Sequence, residues 1–141
     1  MTRVLSVAAV FAVALATSAK AQELPSVVDR VAAAWGRGDA NGIVAFAARS
    51  GVSLDVDGDP VGPLGTRQAA AVLRRLFDNH ETVNATTGRA KVVGGSPEKG
   101  FGEISWTARV RGTSIPERSS VFIALVREDD RWRITEIRVM R

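Results

Sequence analysis

The sequence predicts an α+β fold in which three N-terminal helices pack on a strongly curved antiparallel β-sheet, a cone or α+β barrel. Three observations carry that expectation. Over Leu24 to Trp35, Ile43 to Ala47 and Ala69 to Phe77 the apolar residues recur three and four apart, as on a helix face. From Glu81 onward they alternate with polar residues, as on a strand. The last segment, Trp132 to Met140, carries a parity conflict that only a bent strand resolves. Helices first and antiparallel strands after them make a sheet with its helices gathered on one face.

The elements follow in chain order. Ser26-Val27-Val28-Asp29 has the form of a capping box, and Leu24, Val27, Val31 and Trp35 share one helical face, so a first helix should end near Gly36 to Gly38. Asp39 can cap a second helix over Ala40 to Ala48, with Ile43, Phe46 and Ala47 on one side. Val52 to Val56 alternates and Asp57-Gly58 supplies turn chemistry, which predicts a short strand pair around 52 to 62. Thr66 can cap a third helix whose stripe is Ala69, Val72, Leu73, Leu76 and Phe77, ending near Asn79-His80.

In the strand region, Gly102, Ile104, Trp106, Ala108 and Val110 fall on one face, against Glu103, Ser105, Thr107, Arg109 and Arg111. Ser119 to Val126 is apolar on both parities, which suits a strand covered on both sides. A hairpin at Asp129-Asp130 leads into the last strand. There Trp132 and Ile134 have one parity and Ile137 and Val139 the other, so an extra residue near Thr135-Glu136, a β-bulge, is needed to bury all four.

This order, with Ala33-Ala34-Trp35-Gly36-Arg37-Gly38-Asp39 leading into a second helix, resembles the nuclear transport factor 2-like, or SnoaL-like, cone fold. Thr66-Arg67-Gln68-Ala69 with Leu73 to Phe77, the Gly94-Gly95 turn and the ending Trp132-Arg133-Ile134-Thr135-Glu136-Ile137 resemble small exported bacterial domains of that superfamily that have no assigned function. The resemblance implies a pocket between the helices and the hollow of the sheet, with Trp35, Phe46, Trp106 and Phe122 as the aromatic candidates for its wall. As ordinary core residues the same rings would fill the hollow.

The first 21 residues read as an export signal. Arg3 is the positive n-region, Val4 to Ala16 is apolar or small throughout, and Ala19-Lys20-Ala21 is an A-x-A cleavage site. The expected mature chain is one domain, residues 22–141, delivered to the periplasm or beyond. As a helix, Val4 to Ala16 would span about 20 Å, short of the roughly 30 Å that a stable membrane anchor must cross.

Composition closes off several function classes. The sequence has no cysteine, which removes thiol chemistry and thiolate metal sites. It carries 19 lysines and arginines against 15 acids, and Arg127, Arg131, Arg133, Arg138 and Arg141 have Glu128, Asp129, Asp130 and Glu136 among them. That is a mixed-charge face and not the concentrated basic surface that nucleic acid requires. Asp55-x-Asp57-x-Asp59 lacks the glycine and glutamate of a calcium loop, having Pro60 and Thr66 in their places. No metal or cofactor is expected.

Enzymes of the superfamily use an inward carboxylate or histidine as general base, often with a tyrosine to hold an oxyanion. This chain has no tyrosine. Its candidate bases are His80, the only histidine, and Glu136, which a strand without a bulge would bury. The simpler readings are a helix-end histidine bound to free carbonyls and a glutamate turned outward by the bulge. The sequence therefore predicts a non-enzymatic module that binds a small apolar ligand or pairs with a second copy through its sheet face. The alternatives are a SnoaL-like lyase, isomerase or hydrolase using His80 or Glu136, and a purely structural domain with a filled pocket.

Overall fold

The computed structural model describes residues 19–141. The apolar run of the export signal lies outside the described residues, and the expected cleavage site falls at the start of the first helix. The elements are α1 (Ala19–Gly36), α2 (Ala40–Val44), β1 (Val52–Asp55), β2 (Val61–Leu64), α3 (Thr66–Asn79), β3 (His80–Gly94), β4 (Lys99–Val110), β5 (Glu117–Glu128) and β6 (Arg131–Met140). Among the described residues no helix is long and apolar enough to cross a membrane.

α1 begins well before the expected capping box and runs through Pro25. Proline disfavours helix in the residue before it. Here tertiary contacts hold that turn, because Leu24 is fully buried and Glu23 pairs with Arg127 at 3.0 Å. Downstream the helix behaves as its periodicity requires, with Val27, Val28, Val31 and Trp35 all buried. It stops where expected, and Gly38 turns the chain at a φ of 64° that side-chain-bearing residues avoid.

The Asp39 carboxylate caps α2 by accepting the Gly42 N–H at 2.9 Å. The expected extent to Ala48 is not reached, and the reason is competition for backbone hydrogen bonds. Phe46 and Ala48 bond instead to Ile134, through Ile134 N–H to the Phe46 carbonyl (2.7 Å) and Ala48 N–H to the Ile134 carbonyl (2.8 Å). α3 also differs at its start: Gly65 is the capping residue and no side chain caps the helix, so Thr66 is already inside it. Of its stripe Ala69, Leu73, Leu76 and Phe77 are buried as predicted, and Val72 is half-buried against the core.

The six strands form one curved sheet in the order β2-β1-β6-β5-β4-β3. It is not wholly antiparallel: β1 pairs with β6 in parallel, Leu54 opposite Ile137, while every other pairing is antiparallel. The segment between α2 and β1 already bridges β6 in parallel, Ala47 against Ile134, and β1 continues along β6 in the same direction. The expected bulge in β6 is present. Ala124 faces Glu136 and Leu125 faces Ile134, leaving Thr135 as the extra residue, and Trp132, Ile134, Ile137 and Val139 are all buried. Asp129 and Asp130 make the β5–β6 turn, both at positive φ.

α1 lies so close to β4 that side chains are excluded beneath it. A Cβ at Gly102 would stand 2.6 Å from Val28 Cγ2, and one at Gly100 would stand 2.7 Å from Leu24 Cδ2. Ile104, Trp106 and Ala108 continue that inward row. Val110, expected to complete it, is 37% exposed at the strand end, opposite His80.

Candidate functional site

The hollow between helices and sheet is filled. Trp35, Phe77 and Trp106 meet edge to face, with ring centroids 5.2, 5.5 and 6.3 Å apart, and Leu73 and Ile104 pack into the same core. This is the arrangement aromatic quadrupoles prefer. The Trp106 indole N–H donates to Thr82 Oγ at 3.0 Å. Among the described residues, neither Trp35 nor Trp106 lines any of the main surface depressions around this core. The expected interior pocket wall is therefore not assembled. Trp35 and Trp106 are core, Phe46 lines a 270 Å³ depression beside α1 and β6, and Phe122 lies on the opposite face of the sheet.

The two candidate bases are likewise separated. His80 caps the end of α3: its Nδ1–H donates to the Leu76 carbonyl at 2.9 Å, and its Nε2 faces Arg141 Nη2 at 3.4 Å. A carbonyl only accepts, so the proton on Nδ1 is fixed by that partner. The ring stacks obliquely on Trp106, with centroids 5.4 Å apart. Glu136 is turned outward by the bulge, where Arg138 binds it. His80 lines two small depressions at the α3 end, and Glu136 lines neither. Among the described residues the depressions that His80 lines do not include Glu136, so the two are not brought together as an acid–base pair. Among the described residues no three of His, Asp and Glu are grouped to hold a metal ion.

The largest apolar concavity is on the outer face. It measures about 660 Å³ and is lined by Val93, Pro97, Phe101, Phe122, Ala124 and Val126, with Lys99 and Glu128 at its margin. Strand register builds it: Phe101 lies opposite Ala124 and Lys99 opposite Val126 across β4 and β5. The Phe101 and Phe122 rings stack at 5.8 Å between centroids. Phe101 was missed in the sequence because it shares the parity of Glu103 and Ser105, the wet face of β4. Phe122 on the neighbouring strand was the available signal.

Beyond Glu128 a second depression of about 430 Å³ is lined by Arg49, Arg131 and Arg133 with Ala47, Glu128 and Asp129. Arg49 pairs with Asp129, and its N–H points to Glu128 Oε2 at 3.4 Å. Arg133 Nη1 donates to the Ala45 carbonyl at 3.0 Å. Farther along the outer face Arg89 forks onto Glu103, at 3.1 Å through Nε and 2.9 Å through Nη2. That hydrogen bonding holds the Glu103 carboxyl below its usual range, against slight desolvation, and raises Arg89 further.

No family model matches the sequence, and no curated protein matches it. Solved structures do match. A DUF4783 family protein from Bacteroides uniformis superposes with a TM-score of 0.66 at 16% identity, covering 79% of this chain and 94% of its own. A hypothetical protein with a ketosteroid isomerase-like fold from Catenulispora acidiphila, solved in complex with trimethylamine, gives 0.65 at 20% identity over 83% of this chain and 85% of its own. An NTF-2 like protein of unknown function from Shewanella oneidensis gives 0.59 at 15% identity over 84% and 97%. Likeness at such identities speaks to architecture alone. The chain has the nuclear transport factor 2-like fold.

Proposed function

We propose that this protein is an exported, non-enzymatic binding module that works through the outer face of its sheet, where the Phe101–Phe122 groove takes a small apolar ligand. The observation that carries the reading is the contrast between a hollow filled by Trp35 and Trp106 and a groove of about 660 Å³ on the other side. That volume lies within the roughly 300–1,000 Å³ typical of small-molecule sites. The commitment of His80 to the end of α3 and of Glu136 to Arg138 favours binding over general-base chemistry. Export is supported by the leader and by α1 itself. With the chain cut after Ala21, Pro25 falls in the first helical turn, where its missing N–H costs nothing. Processed protein should begin at Gln22 by mass spectrometry.

A second reading, pairing with another copy of the chain, is favoured by the half-buried outer row of β5, Phe122, Ala124 and Val126. One experiment separates the two. Titration with 1-decanol by calorimetry, with sedimentation in parallel, should show saturable binding to a monomer and loss of binding in Phe122→Ala. A dimer that does not bind decanol would replace the ligand reading with the pairing one.

A further inference from the structure

We infer that the ligand of the outer groove is a single-chain amphiphile with a carboxylate head, its chain on Phe101 and Phe122 and its head against Arg131 and Arg133. The inference rests on the ligand reading above and adds the chemistry of the polar end. Three observations converge on it.

The apolar groove and the arginine-lined depression are neighbours. Glu128 lines both, and the consecutive residues Arg49 and Ser50 line one each. A ligand lying along the groove past Val126 therefore meets Arg133, the cross-strand partner of Val126. The depression also carries an excess of positive charge, three arginines against Glu128 and Asp129. Arg49 is engaged by Asp129 and Arg133 is held by the Ala45 carbonyl, whereas the Arg131 guanidinium has no hydrogen bond or ion pair among the described residues. An arginine fork held open beside an anchored one matches the two oxygens of a carboxylate. Finally, Glu128 stands between the two depressions. It lines both, and its carboxylate is turned toward the Arg49 backbone N–H at 3.4 Å, so an anionic head settles against Arg131 and Arg133 and away from it.

The test compares three ligands with the same ten-carbon chain, each below its micelle-forming concentration: decanoate, 1-decanol and decyltrimethylammonium. Decanoate should bind at least about tenfold more tightly than decanol, and the ammonium more weakly than either. Arg131→Gln should bring decanoate to the level of decanol and leave decanol unchanged. Arg133→Gln should act in the same direction, but it also breaks the bond to Ala45, so Arg131→Gln is the decisive variant. Equal affinity for decanoate and decanol in the unaltered protein, or a decanoate preference that survives Arg131→Gln, overturns the carboxylate assignment and leaves the groove reading intact. Failure of all three ligands to bind overturns the groove reading itself.

Discussion

The two faces of the sheet use the same strands to opposite ends. Along β4, Gly102, Ile104, Trp106 and Ala108 look toward the helices and are buried. The alternating Phe101, Glu103, Ser105 and Thr107 look outward and are half-buried. The inner face is finished: α1 sits on glycine and three aromatic rings close the hollow. The outer face is unfinished, with apolar rings at one end, arginines beside them and an ion pair at Glu103. The sheet has two sides, and here one is filled and the other is open.

Truncating one ring on each side should break the symmetry most visibly. Trp106→Ala removes a buried indole from the inner cluster and should cost about 4 kcal/mol in denaturant unfolding. Phe122→Ala, on the outer groove, should cost less than about 1 kcal/mol while abolishing ligand binding. Comparable losses of stability would mean that the two faces are not distinct in the way their packing indicates.

The next effect in size tests the close approach of α1. Gly102→Ala places a Cβ against Val28 and should destabilise by about 2 kcal/mol, because the helix must lift from β4. Val28→Ala in the same molecule makes room for it, so the double variant should lose less than the sum of the two single changes. Strict additivity would show that Val28 is not the obstacle.

The smallest effect belongs to the outer ion pair. Arg89 lowers the Glu103 pKa in the folded chain, so its contribution is present above the unfolded carboxylate range, near pH 4.3, and disappears as pH falls through the lowered folded value. The difference in urea midpoint between the unaltered protein and Glu103→Gln should therefore be larger at pH 7 than at pH 2.5. A difference that grows on acidification would contradict the sign.

Much of the fold was legible because it is local. The stripe of α3 and the alternation of β4 are periodicities of neighbouring residues. The bulge at Thr135 was legible too, since Trp132, Ile134, Ile137 and Val139 cannot all be buried without it. His80 could be read as a helix-end residue from its spacing behind Leu76. The site was less legible. Phe46 and Phe122 are both aromatic and both flanked by apolar residues, yet they lie in different environments, one beside α1 and β6 and the other on the outer face of the sheet.

The chain's own periodicities and turn residues thus dictate which segments are helix or strand, which residues of each strand share a face, and where the final strand must bend. Long-range encounters settle the rest. Ile134 takes the hydrogen bonds that would have prolonged α2, the β1–β6 pairing runs parallel as a continuation of the Ala47–Ile134 bridge, and Arg49 meets Asp129 across 80 residues of chain. Period and propensity act over a few neighbours. The choice of which face the helices cover, and so of which aromatic rings remain on the open face, is made only when distant segments compete for the same surface and the same backbone donors.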